Sequence, residues 1–434
     1  MKRILFLRNI KKLKKKKRKI WQLNKVKNPE SISSHIFRVA FLTWLLAKEN
    51  DIDTERVIKM ALLHDICKAL TFEETIYDKV LDKNRKVLNN FPKLTLKEKK
   101  KYYLAKEKRE EKAFEKLVEK LPEKFKYEME KIWFEFCKGV SRESRFVYQA
   151  NEAENLLQAL EYNQEGNKIN RKIWLNWGKR IFEEPIFIEF EKSLERRFFK
   201  KNGKRREMDN IVDFLIKLGK LKRTVREKWV LRKIKDPEKI ADHIFSTTLI
   251  AWMFAEEKGL KSGKIIKLCL VHDLSRISSK RNYFNLFFPN FREQIKTIMN
   301  RPEEFSKSIK EKLLRMIKKE FIIPHSSQRS KNKESQRGYR EDKKIIKNLI
   351  SRLPDNLKRE LFKFWDEYAR ALTRESSFVQ QIDIIDNLFQ ALEHYRENND
   401  FPIDFWWAEI GEKIEEPPLL EFIDLLYKKS KKTS

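Results

Sequence analysis

Six histidines occur in this 434-residue chain, and four of them fall into two matching sets. His35 precedes the pair His64-Asp65 by the same interval that separates His243 from His272-Asp273. A single histidine in a core is ordinarily a packing residue with its hydrogen bonds satisfied. Two at a fixed interval, the second followed by aspartate and the whole set occurring twice, point to ligand chemistry. A divalent cation takes neutral imidazole nitrogens and ionised carboxylates, and leaves positions for water and substrate. In the second set His243, His272 and Asp273 supply two nitrogens and one carboxylate. Asp383, in "QQIDIID" ahead of the apolar run Leu388, Phe389, Ala391 and Leu392, is the natural fourth ligand. Asp386, three residues on and on the same helix face, is its competitor. Two carboxylates would balance a 2+ ion before any phosphate arrives.

An internal duplication carries both sets. "WQLNKVKNPESISSHIF" (21–37) aligns with "WVLRKIKDPEKIADHIF" (229–245), and "ALLHDICK" (61–68) with "CLVHDLSR" (269–276). At a longer offset, 132–161 aligns with 363–393, so the second copy holds an insertion between its two blocks. "HSSQRSKNKESQRGYR" (325–340), polar and without apolar period, reads as a loop within that insertion. His325 falls in it, and His394 occurs in the second copy only. The repeat boundary near 200–207 predicts domains at 1–204 and 205–434, each of a size that folds around its own core.

Both copies read as helical. Ile32, Ile36, Val39, Ala40 and Trp44 recur at helix spacing, and Asp53 or Thr54 could cap a helix carrying Val57, Ile58, Ala61 and Leu62. Pro122 and Pro354 mark equivalent breaks. Only 9 Gly and 12 Pro leave little turn chemistry for a β-rich fold. The expectation is all-α, two tandem helical bundles, with Trp44, Trp252, Trp133 and Trp365 in the cores.

The formal charge of +33 favours anionic partners: nucleotides, nucleic acid or acidic surfaces. A general lysine bias on solvated helix faces contributes to it, including the run "KKLKKKKRK" (11–19). Aromatic residues do not interleave with the basic runs, which argues against a single-strand stacking site. Cys67, Cys137 and Cys269 are odd in number and set in apolar segments, as for reduced core thiols in a cytoplasmic protein. No run reaches the roughly 18 apolar residues of a membrane span, and "MKRILFLRNI" is too short for a signal peptide.

The words "LGKLKRTVREKWVLRKIKDPEKIADHIF", "LCLVHDL", "LPDNLKRELFKFWDEY" and "ESSFVQQIDIIDNLFQALE", with the order His…His-Asp…Asp, resemble the HD-domain phosphohydrolases. Within them they resemble the 5′-deoxynucleotidase branch, which removes phosphate from deoxyribonucleoside monophosphates. The resemblance implies helical domains, a divalent cation (Mn, Co, Mg or Zn) on His243, His272, Asp273 and Asp383, and a nucleotide substrate. It also implies phosphate contacts from Arg226 and Lys228, with Arg18 as the first-copy counterpart of Arg226. Tandem fusion would imitate the dimer common in that branch, the two domains packing as a pseudo-dimer.

The chain departs from the family pattern in two ways. The first copy has Asn151 where the fourth ligand would be, so the set His35, His64, Asp65 and Asn151 is expected to be a degenerate site. The family's glutamate three residues after the HD aspartate is replaced by Lys68 and Arg276, and a later aspartate by Glu73 and Arg281. The sequence leaves two roles for Arg276 open: a guanidinium that clamps phosphate beside Asp273 in catalysis, or a salt bridge to Asp273 that competes with the ion. Loss of the acid/base glutamate would typically cost ~10²–10⁴ in rate, unless Asp236, Asp242 or a substrate group replaces it. The expected function is 5′-(deoxy)nucleoside monophosphate hydrolysis at the second copy, weakened or redirected. The alternative is an inactive HD pseudoenzyme that binds nucleotides or nucleic acid through its basic surface.

Overall fold

The protein is described by a computed structural model covering residues 2–48, 50–72, 95–199, 204–278, 328–398 and 401–431. Glu73, Arg281 and His325 lie outside the described residues. The first copy runs α1 (Lys2–Lys15), α2 (Lys19–Leu23), α3 (Ile32–Lys48), α4 (Thr54–Leu63), α5 (Leu96–Val118), α6 (Glu123–Lys138), α7 (Arg142–Gln164), α8 (Arg171–Ile181) and α9 (Pro185–Phe199). The second repeats that order as α10 (Glu207–Leu218), α11 (Glu227–Leu231), α12 (Ile240–Lys258), α13 (Ser262–Val271), α14 (Gln328–Ile350), α15 (Asp355–Ala369), α16 (Arg374–Glu397), α17 (Asp404–Lys413) and α18 (Pro417–Lys431). Among the described residues the extended pairing is limited to single antiparallel bridges, Lys17 with Ser31 and Val225 with Lys239, at equivalent places in the two copies. The fold is all-α: two tandem helical bundles.

Local chemistry sets the helix limits. The Asp53 side chain caps α4 by accepting the Arg56 N–H at 3.0 Å. Pro122 and Pro354, which cannot donate to a preceding turn, stand at the N-caps of α6 and α15. Gly139 and Gly259, at φ +64° and +63°, end α6 and α12 in the left-handed conformation that glycine adopts without strain. In α3 every residue from Ile32 to Ala47 is buried, and in α12 every residue from Ile240 to Ala255. Helices buried on all sides must be central. Accordingly α3 packs against α4 and α7, α12 against α13 and α16, and α3 and α12 against each other. Trp44, Trp252, Trp133 and Trp365 are all buried.

Three expectations are corrected. Residues 328–340 are not a loop but the start of α14; the apolar stripe that anchors this helix, Ile346, Leu349 and Ile350, lies beyond the 325–340 window. Cys137 is exposed rather than in the core, whereas Cys67 and Cys269 are buried. The run 11–19 is not simply a solvated face. Lys11, Lys14 and Arg18 are buried, because carboxylates of the second copy, and Asn155 of the first, receive them.

Contacts between the copies come in reciprocal pairs. The Trp44 indole N–H donates to Glu360 at 3.3 Å and the Trp252 indole N–H to Glu128 at 3.1 Å, each pair joining one copy to the other. Lys267 lies over the Trp44 ring and Lys59 over the Trp252 ring, with Nζ 5.3 Å and 5.4 Å from the centroids. Ser34 and Asp242, which occupy equivalent positions, meet each other at 2.7 Å.

Candidate metal centre

In the second copy α12 delivers His243, the end of α13 delivers His272-Asp273, and α16 delivers Asp383. His243, His272 and Asp273 bring ligand atoms within 4.8 Å of one another, and Asp383 meets His243. His243 Nε2 lies 2.9 Å from Asp383 Oδ1 and 3.2 Å from His272 Nε2, and His272 Nε2 lies 3.7 Å from Asp273 Oδ2. Ligands about 2.1 Å from one ion are about 3.0–3.4 Å apart; the two His243 distances are close to that spacing, and the Asp273 oxygen stands further out. The imidazoles are buried, while Asp383 and Asp273 keep 24% and 15% of their side-chain surface, so the cluster opens outward at its carboxylates.

The other ring nitrogens are committed elsewhere. His272 Nδ1 donates to the Cys269 carbonyl at 2.6 Å, and His243 Nδ1 to Asp386 Oδ2 at 2.7 Å. Both Nε2 atoms are therefore turned toward the carboxylates, as a carboxylate-histidine-metal arrangement requires. Asp386 is thus the orienter of His243 on the far side of the ring, and Asp383 is the carboxylate at Nε2. Burial pushes the His272 imidazole below its usual range, leaving its lone pair free. Burial alone would raise the Asp383 carboxyl; the hydrogen bond and charge of His243, then His272 and Arg226, hold it well below the carboxylate range. Asp273 is likewise held low against burial by His272 and Arg276. A proton on His243 Nε2 could satisfy one neighbour, whereas a divalent cation would satisfy all four acceptors. The donor set fits such an ion.

The first copy repeats the geometry with one acid fewer. His35 Nε2 lies 2.9 Å from Asn151 Oδ1 and 3.3 Å from His64 Nε2; His64 Nε2 lies 3.6 Å from Asp65 Oδ2. His64 Nδ1 donates to the Ala61 carbonyl and His35 Nδ1 to Glu154, at 2.7 Å and 2.6 Å. Burial pushes the His64 imidazole down to about 4. An amide in place of a carboxylate removes one of two negative charges. Turned over, Asn151 could donate to His35 and close the cluster with no ion at all.

The basic residues fall where the motif put them, but engaged. Arg276 Nε contacts Asp273 Oδ1 at 3.3 Å, and Lys68 Nζ contacts Asp65 Oδ2 at 2.8 Å. Arg226 donates to Glu238 at 3.0 Å and to the Asn387 amide oxygen at 2.8 Å, and Lys228 donates to that same oxygen. Arg18 donates to Asn155, the counterpart of Asn387, at 3.1 Å. Asp242 does not serve as a substitute acid: it accepts from Ser31, Ser33 and Ser34 of the first copy. Asp236 is exposed. Sequence reasoning missed Tyr368, whose ring packs 5.4 Å from that of His272 and whose phenol is pushed up by burial and by Asp383 and Asp273. The first copy has Phe136 at the equivalent place, 6.0 Å from His64. That one difference between otherwise aligned aromatics was the available signal.

Comparison with known proteins finds a family and relatives that the chain resembles. The family model for the HD domain matches residues 10–186, 218–280 and 322–415. The 5′-deoxynucleotidase HDDC2 of Xenopus laevis is 25% identical over 221 residues, covering 50% of this chain and 86% of its own. The protein of the same name from Homo sapiens is 30% identical over 220 residues, covering 50% of this chain and 84% of its own. A solved structure of a conserved hypothetical protein from Pyrococcus furiosus covers 44% of this chain and 98% of its own, at 26% identity and a TM-score of 0.33.

Proposed function

The chain belongs to the HD domain family, and from that membership we propose that its second copy is a metal-dependent nucleotide phosphohydrolase acting on 5′-deoxynucleoside monophosphates. The observation that supports the reading is the cluster of His243, His272 and Asp273, whose ligand atoms lie within 4.8 Å of one another, with Asp383 Oδ1 2.9 Å from His243 Nε2. These four would hold a divalent cation. When bound, it supplies polarisation of a phosphoryl oxygen and makes a nearby water more acidic. The chain's own groups do the rest. Asp386 and the Cys269 carbonyl fix the two imidazoles. Arg226 and Lys228, gathered on the Asn387 oxygen, offer fixed positive charge to the phosphate oxygens. Arg276 neutralises Asp273 and can release its guanidinium to a phosphate that displaces it. With no glutamate at that place, turnover is expected to be slow.

The first copy is a scaffold in this reading, with its ligand set broken at Asn151. The division near residues 204 and 205, and the packing of the copies as an internal two-fold pair, belong to the same proposal. The reciprocal Trp44–Glu360 and Trp252–Glu128 contacts and the meeting of Ser34 with Asp242 support it, since equivalent residues meet one another only near a two-fold axis. The Arg276–Asp273 contact favours the rival pseudoenzyme reading, because it occupies a would-be ligand.

The test is phosphate release from a panel of 5′-nucleoside and deoxynucleoside monophosphates with added Mn²⁺, Co²⁺, Mg²⁺ or Zn²⁺. Release that Asp383→Ala abolishes and Asn151→Ala preserves is expected. Nucleotide binding without turnover under every metal would favour the pseudoenzyme.

A further inference from the structure

The carboxylates behind the second copy's site are held by lysines of the first copy. Asp386, which accepts from His243 Nδ1, takes Lys11 Nζ at 2.9 Å on its other oxygen and has Lys14 Nζ at 3.9 Å. Lys14 also binds Glu238 at 2.6 Å, and the other Glu238 oxygen accepts from Arg226 and from the Trp229 indole, at 3.0 Å and 2.9 Å. Both lysines donate onward to Gln390. Lys11, Lys14, Asp386, Glu238 and Gln390 are all buried, where a charge without its partner is costly.

The arrangement is reciprocal but not symmetric. Lys222 of the second copy, equivalent to Lys14, reaches back to Glu30 and to Glu154, which orients His35. The second cation differs in origin. At the first site it is Arg38, from the same helix as His35, bound to Glu154 at 2.9 Å. At the second site the position equivalent to Arg38 is Ser246, which donates to Asp386 at 2.6 Å, and the cation is Lys11 from across the interface. The position equivalent to Lys11 is Gly219, where an added Cβ would lie 2.6 Å from the Arg38 guanidinium. Each site thus carries two cations behind its orienting carboxylate, and the glycine leaves room for the one that changed sides.

We infer that Lys11 and Lys14 are positioning residues for the metal centre of the other copy, so that the second site is complete only with the first copy docked. This rests on the reading of that site as a metal centre. The lysines touch no ligand. They act through Asp386 on the His243 ring and, through Glu238, on Arg226. The swap also matches the two copies to each other. Two first copies would set Arg38 against Lys11, and two second copies would leave Ser246 facing Gly219 with no second cation.

The test titrates the purified full-length chain with Mn²⁺ alone, read by electron paramagnetic resonance. Lys11→Met and Lys14→Met are each expected to weaken Mn²⁺ binding, and together by about 10–100-fold, the usual effect of removing groups that orient a ligand. Lys14→Arg should retain most of the affinity. Lys222→Met, equally buried but behind the first site, should leave it within about 2-fold. Circular dichroism reports folding throughout, and if the double variant loses its helical signal the single variants decide. Unchanged affinity in the Lys11 and Lys14 variants, or an equal loss in Lys222→Met, overturns the inference. A wild-type chain that takes up no Mn²⁺ overturns instead the metal reading beneath it.

Discussion

At the level of single residues, the two sites differ in the charge of one acceptor. Asp383 and Asn151 occupy equivalent places 2.9 Å from equivalent imidazoles, yet only the acid adds charge. Arg276 sets a competition at Asp273. Arg276→Ala is expected to tighten Mn²⁺ binding severalfold, since a cation leaves the site, and to raise KM for the nucleotide, since a phosphate contact leaves with it. An unchanged KM would remove the phosphate-clamp role. His394 gives a pH signature outside the site. It lies buried against Trp229, and burial pushes it down to about 4, against Glu238 and Glu397, which favour its charge, and with Lys11 and Lys15, which oppose it. Its folded value lies below the unfolded ~6.5, so the unfolded chain takes up the proton first and stability falls as pH drops from about 6.5 toward 4. The thermal midpoint should therefore fall between pH 7 and pH 5, and His394→Gln should flatten part of that fall; an identical slope would contradict it. His243, His272 and Asp273 stood out in the sequence as candidate ligands because the duplication marked them twice. Tyr368 and the role of Asp386 did not, because spacing alone does not say on which side of an imidazole a carboxylate stands.

At the level of helices, one face of α16 does most of the positioning. Asp383, Asp386, Asn387 and Gln390 recur at three- and four-residue steps, so a single helix presents the carboxylate at Nε2, the carboxylate at Nδ1, the amide that gathers Arg226 and Lys228, and the acceptor for Lys11. Caps set where such helices begin. Asp53→Ala should cost about 1 kcal/mol by removing the acceptor for the Arg56 N–H, measured as a lower denaturation midpoint with Mn²⁺ affinity retained. The helical period of the central segments was readable because their apolar residues recur. The start of α14 was not, since residues 328–340 are polar apart from Tyr339, which stacks on Trp365, and the apolar stripe that docks the helix comes later in the chain.

For the whole molecule, the sequence carried the duplication and the all-helical class but not the use made of the basic N-terminal run. A lysine-rich stretch reads as solvated until the acids that receive it are known, and those acids stand more than two hundred residues away, at Glu238 and Asp386. Among the described residues no helix is long and apolar enough to cross a membrane. In the proposed reading, two bundles of common origin carry unequal sites, one able to hold an ion and one closed by an amide. Counting Mn²⁺ bound per full-length chain tests it most directly. One equivalent, carrying imidazole nitrogen couplings, lost in Asp383→Ala and kept in Asn151→Ala, is the predicted result. Two equivalents, none, or a single equivalent lost in Asn151→Ala instead would contradict it.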